Sequence, residues 1–294
     1  MTSDIKPTIT KFCHQTWQLE ATVQLFETHS DFSYIVTDQT PFHPVSHIWP
    51  DHPADKGTIT LSNGDIIEVV DCRVGAIEVE SQTLYVGQDI PVKRDQEGWV
   101  FVVVHCLEPS ANFIPVGDSV CLNVDKEYQL ALGRGHSAGH LSYLALNKIL
   151  ADGYWRKEAD RRDPHGYYDF NSYAQVSSFV TQDKCVDTYR LGKTLRKRGL
   201  NSADMLSDLP LIEQKVNELL AEWLKLGSNI EVVCEGEALT DSRYWHCNLS
   251  EGETAVIACG GTHAGSLSDY ANIAVKFNKL DDQHIEMHTM SVST

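Results

Sequence analysis

The stretch Arg134-Gly135-His136-Ser137-Ala138-Gly139-His140-Leu141 runs directly into Ser142-Tyr143-Leu144-Ala145-Leu146-Asn147-Lys148-Ile149-Leu150. The apolar spacing after His140 has helical character and ends near Gly153, which predicts a helix over about 136–151. Residues four apart share a helix face, so His136 and His140 can present their imidazoles to one ion. Far downstream, Cys259-Gly260-Gly261-Thr262-His263 repeats the spacing with a thiolate and an imidazole. Its two glycines suit a tight turn that brings both donors to one point. Either pair alone is a weak signal. Together they form a specific one, with His136, His140, Cys259 and His263 as a donor set that favours Zn²⁺ over Mg²⁺ or Ca²⁺.

Working outward, the chain before the His pair is β-rich. Short runs at 34–36, 57–61, 66–70, 76–79, 99–104 and 119–122 alternate with turn signals such as Ser62-Asn63-Gly64-Asp65. Their spacing of roughly ten residues suggests a small barrel or a sandwich. After the His pair, residues 152–173 read as loop and 174–208 fit no clear pattern. Leu209 to Leu226 is an amphipathic helix, with Gly227 as its stop. Strands are predicted at 230–233, 243–247, 254–257 and 273–277. The expected fold is α+β: a β-barrel-like domain over 1–126, then a zinc-binding α+β domain over 127–294 with helices on an antiparallel sheet.

At 294 residues, with 42% apolar and 22% charged residues, the chain has an ordinary globular composition. The start carries no apolar h-region, and no apolar run nears the length of a membrane span. Neither a signal peptide nor a membrane partner is expected. The eight cysteines lack compact disulfide spacing, which fits a cytoplasmic protein. Cys247 is read as a core residue, or else as a thiol beside the metal ligands. A net charge of −17 argues against non-specific nucleic-acid binding. An acidic chain can still bind RNA through clustered cations. The best cluster is Arg190, Lys193, Arg196, Lys197 and Arg198, which either contacts phosphates or forms a solvated helix face. A second group, Arg156-Lys157 and Arg161-Arg162, is diluted by Glu158, Asp160 and Asp163. No protein partner is evident.

The two metal motifs resemble those of the alanyl-tRNA synthetase editing domain and of the free-standing alanyl-tRNA editing deacylases of the AlaX group. The similarity extends upstream to Thr40-Pro41-Phe42-His43-Pro44 and to His52-Pro53-Ala54-Asp55-Lys56-Gly57. In relatives these positions read Thr-x-Phe-Tyr-Pro and Gln-Pro-x-Asp-x-Gly. It covers about residues 30–290. The resemblance implies a β-barrel in the first domain and a zinc-dependent aminoacyl-tRNA deacylase, an ester hydrolase. Such an enzyme acts in trans to remove serine or glycine wrongly attached to tRNA(Ala). Its partner would be the mischarged alanine-accepting tRNA, bound at the Arg190–Arg198 cluster.

Ser137, Gly139, Thr262 and the backbone amides of Gly260 and Gly261 are the candidate contacts to the aminoacyl group. No general base stands out. Asp269 is a candidate acceptor for a ligand imidazole N–H, or simply a turn residue. The chain departs from the family at Gly139, at Val45–Asp51 in place of a Gly-rich loop, in lacking a Gln-Lys-Gly-Ser run, and in an insertion over about 174–208. The alternatives are a zinc hydrolase for another small aminoacyl ester or amide, and a non-catalytic zinc-stabilised binding protein.

Overall fold

The computed structural model describes residues 5–250 and 253–294. The chain forms two compact units. The first takes the chain up to Gln129 together with Cys234–Arg243 and Gly260–Thr262; the second takes Leu130–Val233, Tyr244–Cys259 and His263–Thr294.

The first unit contains β1 (Ile9–Thr10), β2 (Gln18–Thr28), β3 (Ser33–Thr37), β4 (Gln39–Thr40), β5 (Gly57–Leu61), β6 (Ile66–Val69), β7 (Asp71–Glu78), β8 (Leu84–Val86), β9 (Trp99–Leu107) and β10 (Ser119–Val124). Eight of them form one antiparallel sheet in the order β6-β5-β10-β2-β3-β9-β7-β8. β2 joins its halves: Gln18–Thr22 pairs with β10, and Val23–Thr28 pairs with β3. The register shifts between Val23 and Leu25, an irregularity of the kind that bends a strand and curls its sheet. β9 is an apolar, β-branched run buried from Phe101 onward, as befits a strand paired on both sides.

The second unit holds α1 (Lys126–Ala151), apart from the helix's first turn, followed by α2 (Phe170–Ala174), β11 (Gln175–Thr181), β12 (Lys184–Arg190), α3 (Lys193–Lys197), α4 (Ser202–Ser207) and α5 (Leu209–Leu224). Then come β13 (Ile230–Cys234), β14 (Arg243–Ser250), β15 (Glu253–Ala258), β16 (Tyr270–Lys279) and β17 (His284–Ser293). These strands form a four-stranded sheet, β11-β12-β17-β16, and a three-stranded sheet, β13-β14-β15. α5 covers the edge strand β16. The Asn217 amide bonds both the N–H and the C=O of Val275, and Glu213 accepts from the Phe277 N–H. Polar groups that a free edge would expose are thereby paired within the fold.

One expectation changes. The helix starts ten residues before His136, where the Asp125 carboxylate accepts from the Tyr128 N–H. Its glycines do not interrupt it, because packing requires them. A Cβ on Gly135 would lie 2.5 Å from the Thr181 carbonyl oxygen, and one on Gly139 would lie 2.9 Å from the Cys185 sulfur. α1 therefore lies close against the β11–β12 hairpin. Arg134 holds the hairpin turn through a bidentate pair with Asp183, at 2.6 and 3.1 Å. Residues 174–208, which fit no clear pattern in the sequence, supply β11, β12, α3 and α4. Of these, β12 is an interior strand of the four-stranded sheet. Gly135→Ala should destabilise the protein by roughly 1–3 kcal/mol, since the clash is with backbone. An unchanged thermal midpoint would refute that packing account.

Candidate metal centre

His136 and His140 lie one turn apart on α1, while Cys259 and His263 follow β15. One ligand atom from each lies within 4.8 Å of all the others. The Cys259 Sγ stands 3.4 Å from the His136 Nε2. The ring centroids of His136 and His263 are 4.3 Å apart, and those of His136 and His140 are 4.8 Å apart. Gly133 permits this approach, because a Cβ there would sit 2.9 Å from the His263 carbonyl.

The donor set fits zinc, with three imidazoles and one thiolate at one point. A second observation agrees. The His140 Nε2 is buried and has no hydrogen-bond partner in the protein. Burial holds this imidazole down to about 4, so it is neutral, which is the ligating form. The fully buried Trp245 ring lies 5.4 Å from His140, and Tyr143 meets His140 edge-on at 5.7 Å. These walls lower the local dielectric.

The oxygen beside His263 belongs to Ser137. Its Oγ is 3.0 Å from the His263 Nδ1 and accepts from the Ala264 N–H at 3.2 Å. It also bonds the Tyr270 hydroxyl, which itself donates to the Arg134 carbonyl. With the Ser137 proton directed to Tyr270, the His263 Nδ1–H donates to Ser137, and Nε2 is the nitrogen that could ligate a metal. Ser137 thus bonds the His263 imidazole, and Gly139 packs on β12. Asp269 takes the turn role. Its carboxylate accepts from the Gly265 and Ser266 N–H groups within a capping box. Gly260 is exposed, and Gly261 is buried.

Thr262 belongs to a buried polar group of the first unit. Its Oγ1 lies 3.0 Å from the His52 Nε2, and the His52 Nδ1–H donates to the Pro53 carbonyl at 2.8 Å. The His52 ring also bonds the Thr262 backbone. Nearby, the Asp55 Oδ2 accepts from the His43 N–H at 2.7 Å and from the Gln129 amide at 2.6 Å. Burial raises Asp55 to about 7 and lowers His52 to about 4. Spacing gave no sign of this group, because its members come from separate loops and the start of α1.

The basic segment places Arg190, Lys193, Arg196 and Lys197 on the surface of the second unit. Arg198 does not act alone. Its guanidinium stacks on Tyr173 at 4.7 Å, and Arg161 stacks on the same ring at 5.0 Å. Arg162 stacks on Tyr168 at 4.0 Å, and the Arg156 N–H donates to the Gly199 carbonyl. Arg161 and Arg198, from two groups separate in sequence, thus share the Tyr173 ring, and Arg198 also pairs with Asp160 at 3.7 Å.

A mixed α/β chain with a His₃Cys cluster is the class that fold and site define. Its homologues are alanyl-tRNA synthetases and an AlaX-type editing protein, as the motifs implied. It is 26% identical to the alanine–tRNA ligase of Caldivirga maquilingensis over 95% of this chain and 26% of that one. It is also 26% identical to the alanyl-tRNA editing protein AlaX-M of Pyrococcus horikoshii, over 81% of this chain and 77% of that one. The ligase of Streptomyces avermitilis is 24% identical over 80% of this chain and 21% of its own. The chain therefore spans about a quarter of the length of the synthetases it matches. No protein-family profile matches it.

Proposed function

We propose that this chain is a trans-editing hydrolase that removes serine or glycine wrongly attached to tRNA(Ala), acting in the cytoplasm. The observation that carries this is the convergence of His136, His140, Cys259 and His263. Homology to an editing protein over most of both chains supports it. Zinc bound by these four residues would supply Lewis acidity toward the ester carbonyl. The residues around it hold the donors ready: burial keeps His140 neutral, Ser137 fixes the tautomer of His263, and Trp245 and Tyr143 exclude water from the imidazoles. Gly260 and Gly261, between the two downstream ligands, are the proposed backbone contacts to the aminoacyl group. Among the described residues, no helix is long and apolar enough to cross a membrane.

The proposed tRNA surface is the joined basic region. Arg196 and Lys197 extend from it with Lys193 and Arg190, while the aromatic stacks hold Arg198, Arg161 and Arg162. Stacking orients a guanidinium while leaving its edge to bond phosphate.

The direct test is deacylation of Ser-tRNA(Ala), Gly-tRNA(Ala) and Ala-tRNA(Ala) by the purified protein. Loss of the first two with sparing of the third is expected. Replacing Lys193, Arg196 and Lys197 by Gln should weaken tRNA binding and flatten its salt dependence by roughly 0.9 per lost duplex phosphate contact. Hydrolysis of a short aminoacyl ester should survive. Equal loss on both substrates would assign these residues to folding.

A further inference from the structure

The first unit carries a pair of sulfurs, far from each other in sequence and unconnected with the metal motifs. Ile9 and Ala238 form an antiparallel bridge, and Thr10 donates to the Glu237 carbonyl from its N–H at 2.8 Å and from its hydroxyl at 3.1 Å. Lys11 pairs with the Glu237 carboxylate. Past this bridge the chain turns into a 3-10 helix, Phe12–His14, which carries Cys13, and the Cys13 and Cys234 side chains hydrogen-bond each other. Both are partly exposed, and neither is in a disulfide.

Cations flank the pair. The Arg243 side chain bonds Cys234, and its guanidinium also donates to the Thr10 hydroxyl at 2.6 Å and to the Ala238 carbonyl at 2.8 Å. His14 adds to the positive field. The Cys13 hydrogen bond, helped by Arg243 and His14, holds the Cys234 thiol down to about 6. A thiolate with an adjacent second thiol is the arrangement that oxidants select.

We propose that Cys13 and Cys234 form an oxidant-reactive dithiol site whose co-substrate is a hydroperoxide and whose product is a Cys13–Cys234 disulfide. The Cys234 thiolate attacks one peroxide oxygen. The O–O bond breaks, and the departing hydroxide takes a proton to become water (an alcohol, for an alkyl hydroperoxide). The Cys13 sulfur then attacks the Cys234 sulfenic acid. The S–O bond breaks, and the hydroxide leaves as water with the Cys13 proton. The two sulfurs together give up two electrons, and the peroxide gains two. The bond staples the segment around Phe12–His14 to Cys234–Arg243, a passage that reaches this unit from elsewhere in the chain.

The test uses the full chain with hydrogen peroxide, followed by alkylation and peptide mapping. A reducible cross-link between the peptides holding Cys13 and Cys234 is expected, with a loss of two hydrogens in mass. Cys13→Ser should arrest the reaction at a Cys234 sulfenic acid that a 1,3-dione probe captures. Cys234→Ser should leave Cys13 unreacted. Without oxidant, Cys234 should alkylate several-fold faster at neutral pH than Cys121, which is also partly exposed. Cross-linking of a different pair, alkylation of Cys234 no faster than Cys121, or a wild-type sulfenic acid that Cys13 never resolves would each overturn the proposal. The wild-type map needs no variant to fold.

Discussion

Cys259→Ala should strip zinc from the protein and lower deacylation by more than ~100-fold, with most of the fold retained. The change removes the one anionic donor of the cluster. His140→Ala should act alike, because its buried Nε2 has no other partner in the protein. Ser137→Ala is a graded control. It leaves all four donors in place but removes the oxygen beside the His263 Nδ1, which should weaken zinc binding by roughly 10–100-fold. Zinc content, thermal melting and deacylation measured in parallel separate the possibilities. Four protein donors also suit a closed structural site, and then activity would fall only as far as the melting point does. A folded, zinc-free Cys259→Ala protein that still deacylates at the wild-type rate would remove the metal from the chemistry. Retention of most of the fold is expected because the core of the second unit, including Leu144, Ile212, Val216 and Trp245, packs around α1 and α5 through apolar contacts.

Asp55→Asn should stabilise the protein above pH 7, and the gain should vanish in acid. Burial raises the Asp55 carboxyl to about 7, against an ordinary value near ~3.9 in the unfolded chain. The folded state therefore holds a proton that the unfolded state has released. The stability belonging to the neutral acid is complete below about pH 4, declines as pH rises, and is fully lost above 7. The difference corresponds to about 4 kcal/mol at most. Asn imitates the neutral acid. Its carbonyl oxygen can accept from the His43 N–H and the Gln129 amide, as the Asp55 Oδ2 does. Its amide then takes the place of Oδ1, which is buried without a partner. The buried His43, His52 and His105, all held low by burial, titrate in both proteins and cancel from the difference. Melting curves of both proteins from pH 4 to 9 check this. A constant difference across that range would show that Asp55 ionises normally in the folded protein.

The sequence by itself carried what neighbouring residues decide. The four-residue spacing of His136 and His140, and of Cys259 and His263, pointed to the four donors that converge in the structure, because the spacing of two donors is a local property. The periodicity of α5 and the β-branched run of β9 were legible for the same reason. Tertiary structure decided the rest. β12 went unread because Asp187, one residue after the apolar Val186, lies on its buried face, where its carboxylate accepts from the Gln175 amide. A polar residue on the core side inverts the alternation that marks a strand. The start of α1 lay ten residues before the expected one, and its glycines are those that the β11–β12 hairpin beside them requires. Ser137 became a support for His263, and Asp269 a turn residue, only when the Cys259–His263 segment met α1. The joining of the two basic groups through Tyr173, and of Cys13 with Cys234, likewise depends on which surfaces fold together. Spacing along the chain fixes which side chains share a face. Only packing fixes which faces meet, because the partners lie tens to hundreds of residues away and local periodicity carries no trace of them.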